Sequence, residues 1–195
     1  VERMKNEFIS TVSNELRTPL TSIRGALGLV LGDMEDELTE DVKPLLQMAH
    51  NNSERLTRLI NNILDIAKME SGRLRLQLKT TSLAGIAGRS IGILEQLAKA
   101  KRLSVHLVAV EEFSVQADAD MLERVFTNLL GNAIKYTPEG GTITTALSDD
   151  GGAIRCRVED TGEGIPPDYL DRVFEKFEQV QGNRKGGTGL GLTIS

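Results

Sequence analysis

Asn128, Asn132, Lys135 and Tyr136 follow one another at steps of four, three and one within a helical pattern. Residues so spaced share one helix face, which here offers two amides, an ammonium and a phenol. That combination suits a phosphate tail and a hard cation, since amide oxygens are hard donors and an ammonium attracts phosphate oxygens. A merely solvated face accounts for Lys135 but leaves the paired asparagines unexplained, because Asn is a poor helix former. Asp160-Thr161-Gly162-Glu163-Gly164 directly follows a predicted strand. Its glycines allow a tight turn and close approach to a planar ligand, and its carboxylate can accept a hydrogen bond from an exocyclic amine. Alone, this motif is a common turn. Gly186-Gly187-Thr188-Gly189-Leu190-Gly191-Leu192 carries four glycines before an apolar, helix-like continuation. Amides exposed at a helix start bind phosphate oxygens. The spacing is that of neither a Walker loop nor a Rossmann turn.

A second polar cluster lies near the start, in Ser13-Asn14-Glu15-Leu16-Arg17-Thr18-Pro19-Leu20. Apolar residues recur around it at Phe8, Val12, Leu16, Ile23, Leu27 and Val30, the pattern of an amphipathic helix with a buried stripe. At about 100° per residue, Asn14 lies roughly 160° around from both Val12 and Leu16, so it is expected to project outward. Thr18, one turn later, shares that face. Pro19 removes a mid-helix amide donor and favours a bend. A polar cluster beside a bend is thereby displayed to a partner.

These groups need elements to hold them. The spacing predicts a helix over 1–31, a polar turn over 32–41, and a second amphipathic helix from Val42 to about Ala67, closed by Ser71-Gly72 with a C-cap glycine. Its apolar positions are Val42, Leu45, Leu46, Ala49, Leu56, Leu59, Ile60, Ile63, Leu64 and Ala67. Two long helices with a short connection form an antiparallel hairpin. One hairpin cannot cover its own apolar stripes, so a homodimeric four-helix bundle is expected. Over 73–82 the alternation of Leu74, Leu76 and Leu78 with polar residues predicts an edge strand, which puts a domain boundary near residue 72. The expected domains are 1–72 and 73–195.

A helix is then predicted over 83–101, and strands around 103–110 and 114–117. Asp120 and Glu123 read as a capping box opening a helix to Tyr136, with Leu122, Val125, Phe126, Leu129 and Ala133 as its apolar face. After the turn Pro138-Glu139-Gly140-Gly141, strands over 142–148 and 153–159 form a hairpin about Asp149-Asp150-Gly151-Gly152. The result is an α+β pattern with a mixed sheet and helices on one side.

The chain has 195 residues, 39% of them hydrophobic, enough for proper cores. A net charge of −5 gives no electrostatic case for nucleic acid. Cys156 is the one cysteine, excluding an internal disulfide and fitting a reducing compartment; its strand position predicts a buried, inert thiol. No run approaches the length needed to span a bilayer, and no signal peptide opens the chain. A cytoplasmic piece is expected. Its mid-pattern start and end read as an excised fragment, with any membrane anchor or sensor domain in segments outside it. His50 and His106, the only histidines, read as ordinary structural or surface residues. Asn51-Asn52-Ser53 matches a glycosylation sequon but falls on a helix in a chain without a secretory signal.

The stretch from Ser13 to Leu20 resembles the H box of sensor histidine kinases, Ser-His-Glu-Leu-Arg-Thr-Pro-Leu, at every position but the second. There the family's histidine accepts the phosphoryl group from ATP, and this chain has Asn14. An amide nitrogen is neither base nor nucleophile near neutral pH, whereas imidazole is both. In order, the later motifs resemble the family's N box, G1 box and G2 box, with Phe174-Glu175-Lys176-Phe177 similar to the F box.

The resemblance covers nearly the whole chain. It implies a dimeric hairpin followed by an α/β sandwich that binds ATP. Asn128 and Asn132 would lie near Mg²⁺ and phosphates, and Lys135 and Tyr136 near phosphates and nucleotide. Asp160 would meet the adenine amine, with Gly162, Gly164, Gly187, Thr188, Gly189, Leu190 and Gly191 around the pocket. Residues 179–185 would form a short lid, with Arg184 or Lys185 reaching phosphate. Glu15 occupies the position that orients and deprotonates the phosphoacceptor, and Thr18 the one used to orient a water during dephosphorylation of a response regulator. The implied partners are a second copy of the chain and a response regulator receiver domain.

The expected function is that of a histidine kinase core which binds Mg-ATP but does not autophosphorylate at Asn14. The asparagine is either an engineered substitution or the mark of a natural degenerate kinase. The alternative is an ATP-binding scaffold that docks a response regulator or another kinase. A hydrolysing clamp of the chaperone or topoisomerase kind is disfavoured by the H-box helix and by the lack of a catalytic acid at Asn128.

Overall fold

The computed structural model describes residues 2–33, 38–72, 74–176, 178–180 and 189–195, without the side chains of 2–11, 13, 14 and 33. The chain divides into two compact units, Val1–Leu74 and Arg75–Ser195.

The first unit is a hairpin of α1 (Glu2–Asp33) and α2 (Val42–Glu70). Arg17 hydrogen-bonds Asn61, and Gly28 faces His50, where an added Cβ would lie 3.8 Å from the imidazole. Stepping forward along α1 is thus stepping back along α2, which makes the pair antiparallel. Pro19 lies inside α1, and the helix continues on both sides of it. The end of α2 follows the expected chemistry: Ser71 is the C-cap and Gly72 takes φ +63, the left-handed conformation that glycine adopts without steric cost.

Burial in the hairpin differs from expectation. Ser53, Ile60, Leu64 and Ala67 of α2 are buried, but Val12, Leu16 and Ile23 of the predicted α1 stripe are exposed, as are Val42, Leu45 and Leu56. Leu27 and Val30 are half-buried. The physical reason is the one that motivates a bundle: a helix in a two-helix hairpin covers only part of its neighbour's apolar arc.

The second unit runs β1 (Lys79–Ser82), α3 (Leu83–Ala100), β2 (Ser104–Ala109), β3 (Ser114–Ala117), α4 (Ala119–Tyr136), β4 (Thr142–Asp149), β5 (Ile154–Asp160), a 3-10 turn (Pro167–Tyr169) and α5 (Gly191–Ile194). The described strands form two sheets. β1 and β3 pair antiparallel; in the order β2-β4-β5, β2 runs parallel and β5 antiparallel to β4, so this second sheet is mixed. Ile143, Thr145 and Leu147 alternate inward from β4, and Ile143 and Leu147 join a core with Ile86 and Ala87 of α3 and Phe126, Leu130, Ala133 and Ile134 of α4.

Four readings need correction. The strand predicted over 73–82 is only Lys79–Ser82, and Leu76 and Leu78 are exposed. In the register β1 makes with β3, Lys79 opposes Ala117, and the chain beyond Ala117 turns into α4, so residues before Lys79 have no strand to pair with. The N-cap of α4 is Asp118, not Asp120: its carboxylate accepts the N–H groups of Asp120 and Met121, while Glu123 pairs with Arg89 at 3.2 Å. The buried stripe of α4 is Phe126, Leu130, Ala133 and Ile134, rotated from the predicted one, with Leu122, Val125 and Leu129 only half-buried. Cys156 is exposed even though it stands opposite the buried Leu147, on the core-facing side of β5, the last strand in the order β2-β4-β5. Desolvation by its surroundings nonetheless raises its thiol pKa. Among the described residues, no helix is long and apolar enough to cross a membrane.

Candidate functional site

α4 stands where it does because its apolar stripe is buried against the sheet and α3, which leaves Asn128, Asn132, Lys135 and Tyr136 half-buried on its flank. The Asn128 side-chain amide donates to the Gly191 carbonyl at 3.2 Å. A Cβ added at Gly191 would lie 3.9 Å from the Asn128 carboxamide, so the end of the glycine-rich segment rests on the middle of α4. With its NH₂ so engaged, the other polar atom of the Asn128 side chain is its amide oxygen, a hard donor. Asn132 stands one turn on, half-buried on the same flank. Lys135 donates to the Tyr136 hydroxyl at 2.8 Å, and its ammonium lies 4.6 Å from that ring's centroid.

The other wall is the end of β5. Asp160 accepts the Gly162 N–H at 2.8 Å, closing an Asx-type turn. A Cβ at Gly162 would stand 2.6 Å from the Asp160 carboxylate and 2.9 Å from the Tyr136 carbonyl, so only glycine fits between β5 and the end of α4. Gly164, at φ +72, takes a conformation that side chains rarely adopt. Thr161 accepts the Thr142 N–H at 2.9 Å, tying the turn to the start of β4.

Two supporting residues escape the motif reading. Thr137 is fully buried, and its hydroxyl donates to the Ala133 carbonyl at 2.6 Å. A side chain at Gly141 would overlap the Thr137 methyl, so the turn after α4 packs directly on the helix end. The Pro138–Gly141 turn was the available signal for that approach. The structure therefore brings Asn128 and Gly191 together at one place, and Lys135, Tyr136, Asp160 and Gly162 at another along the same helix. Gly189, at φ +65, and buried Leu190 lead into α5. Arg184, Lys185, Gly187, Thr188 and most of the expected lid lie outside the described residues.

In the hairpin, Glu15 and Thr18 are exposed on α1, while the side chain of Asn14 lies outside the described residues. Arg17 donates through Nε and a terminal nitrogen to the Asn61 amide oxygen, at 3.2 and 2.7 Å. Among the described residues no group of three or more His, Cys, Asp or Glu could hold a metal. A cation held here would meet amide oxygens, waters and its ligand's phosphates, all donors of the oxygen type that Mg²⁺ takes. A separate groove lined by Ile91, Leu94, Ala98, Leu103, Val105 and Leu130 shares no residue with this set.

Comparison with known proteins agrees with this layout. Residues 4–72 match the His Kinase A (phospho-acceptor) domain, and residues 117–195 match the Histidine kinase-, DNA gyrase B-, and HSP90-like ATPase. The chain is 36% identical over 203 residues to hybrid signal transduction histidine kinase D of Dictyostelium discoideum, covering 100% of this chain and 13% of that protein. It is 35% identical over 199 residues to the circadian input-output histidine kinase CikA of Synechococcus elongatus, covering 98% of this chain and 26% of that one. It thus spans about a quarter or less of these relatives' length. The crystal structure of full-length ShkA in complex with AMPPNP is similar with a TM-score of 0.78 at 28% identity, over 96% of this chain and 39% of that one. With both domain matches in sequence order and similarity along its whole length, the chain belongs to the histidine kinase family of two-component signalling, as a phosphoacceptor-type hairpin followed by an ATPase domain.

Proposed function

We propose that this chain is the core of a two-component sensor histidine kinase that binds Mg-ATP in its second unit and does not autophosphorylate at residue 14. Residues 1–72 act as the dimerisation and phosphoacceptor-type hairpin of a cytoplasmic homodimer, and residues 73–195 as the nucleotide-binding domain. The observation that carries the nucleotide half is the hydrogen bond joining Asn128 to the Gly191 carbonyl, because it brings the amide-bearing face of α4 to the glycine-rich segment. The likeness to ShkA, whose crystal structure holds AMPPNP, supports it.

The residues fit the group. Asn128 and Asn132 would hold Mg²⁺, which when bound offsets charge on a transferring phosphoryl. Lys135 and Tyr136 would face the phosphates and nucleotide, Arg184 or Lys185 would reach phosphate, and Gly187, Thr188, Gly189, Leu190 and Gly191 would wrap the phosphate end. Asp160 would accept a hydrogen bond from the adenine amine, in a slot whose closeness Gly162 and Gly164 permit. On the hairpin, Glu15 would serve as the base for a residue-14 imidazole and Thr18 would orient water for a response regulator. At position 14 the amide nitrogen's lone pair is delocalised into its carbonyl, so it is no nucleophile for a phosphorus centre.

A second reading rests on that same asparagine: the chain is a scaffold, in which ATP acts only as a conformational ligand and the hairpin docks a response regulator or another kinase. Incubation with γ-labelled ATP separates the two. We expect no label on the chain and label on an Asn14→His variant. Label on neither supports the scaffold, and label on the unaltered chain shows that the acceptor lies elsewhere.

A further inference from the structure

Helix α4 ends at the candidate nucleotide site, and the last carbonyls of a helix have no partner within it. Here one side chain from a different helix takes three of that region. Lys101, the C-cap residue of α3, donates through its ammonium to the carbonyls of Ile134 at 2.8 Å, Lys135 at 3.0 Å and Thr137 at 2.9 Å. An ammonium has three donors, and all three are committed. A cation at a helix C-terminus also opposes the negative end of the macrodipole.

The Lys101 carbonyl in turn accepts the Gly140 N–H at 3.2 Å, and the Ser104 N–H donates to the Gly141 carbonyl at 3.0 Å. Lys101 therefore stitches the end of α3 to both the end of α4 and the turn that leaves it. The skipped carbonyl is informative. Between the Lys135 and Thr137 acceptors stands the Tyr136 carbonyl, the group that borders Gly162 and excludes any side chain there.

We propose that Lys101 is a positioning residue for the nucleotide site. By fixing the carbonyls on either side of Tyr136, its ammonium sets the spacing between the α4 end, with Lys135 and Tyr136, and the Asp160-to-Gly162 turn on β5. It touches no ligand itself. A ligand bound between those walls feels its loss as a misplaced wall. The inference rests on the reading of this site as a nucleotide pocket.

Calorimetric titration of the whole chain with AMPPNP and Mg²⁺ tests it. Losing a charge-assisted anchor is expected to weaken binding in Lys101→Met about tenfold, at a temperature where circular dichroism shows the variant folded. Arg89→Met, which breaks the α3–α4 ion pair with Glu123 away from this end, is the control and should bind as the parent does. A Lys101→Met protein with a lower melting temperature but parental affinity overturns the inference and leaves Lys101 a structural cap. If Lys101→Met does not fold, Lys101→Arg decides. A guanidinium keeps the charge but cannot aim three donors from one atom, so binding about threefold weaker is expected, and parental affinity overturns the inference. No binding by the parent chain would instead sink the nucleotide reading itself.

Discussion

The two units bury their apolar residues to opposite degrees. In the second, Ile86 and Ile143 are 0% exposed and Leu130 and Leu147 1%, within a core to which helices and sheet both contribute. In the hairpin, Leu45 and Leu29 remain 64% exposed, Met48 61% and Ile23 48%. Both have the periodicity of good amphipathic elements, so composition does not explain the difference. A sheet with two helices across its face encloses a volume, whereas two helices meet along a line. The second unit thus has the means to be stable alone, and the hairpin's exposed stripe is apolar surface that a second copy would cover.

Removing bulk from each unit sharpens that contrast. Leu130→Ala deletes a fully enclosed side chain, and a loss of about 3 kcal/mol is expected in urea unfolding of the second unit. A loss below about 1 kcal/mol would mean that the core repacks freely, and the contrast would fail on that side. Ile23→Ser lies on the exposed stripe, so in a single hairpin it should cost little. If the stripe is a dimer seam, it should weaken self-association by about 1–2 kcal/mol per seam contact, read by sedimentation equilibrium, with unfolding of the second unit unchanged. An unaltered chain that sediments as a monomer at micromolar concentration, or a dimer indifferent to Ile23→Ser, would remove the stripe from the interface.

The same contrast governs what the sequence discloses. Helical periodicity locates α2 well, and Gly72 ends it as its left-handed conformation requires, because these are local properties. Which apolar residues are buried is not local. Val12, Leu16 and Ile23 satisfy the pattern yet find nothing to pack on within one hairpin. The alternation of Leu74, Leu76 and Leu78 likewise has the period of a strand, but a strand needs a neighbour, and β3 has ended by then. For the site, the motif residues on α4 and after β5 stand out by type and spacing. The residues that hold them do not. Nothing about Lys101 in sequence says that it will reach across to three carbonyls of α4, nor that Thr137 will be sealed beneath Gly141.

Asp118 offers the smallest effect and a further probe of the second unit's coherence. One carboxylate oxygen accepts the Gln77 N–H at 2.8 Å, and the other accepts those of Asp120 and Met121 at 3.2 Å each. It thus joins the segment ahead of β1 to the start of α4, although two acidic residues so close in sequence make the cap ambiguous to read. The Gln77 N–H first, and that of Met121 second, favour the charged form and hold the carboxyl below its usual range. A pKa lower in the folded than in the unfolded chain contributes stability that is fully present above the unfolded value, about 3.9, and is lost as pH falls through the folded one. Asp118→Asn keeps a capping oxygen but not two acceptors, so at neutral pH its melting temperature should be modestly lower than the parent's. Below about pH 4 the gap should close, as the parent carboxyl takes up a proton and loses one acceptor as well. A gap constant down to about pH 2 would show that the charge of Asp118 contributes nothing there.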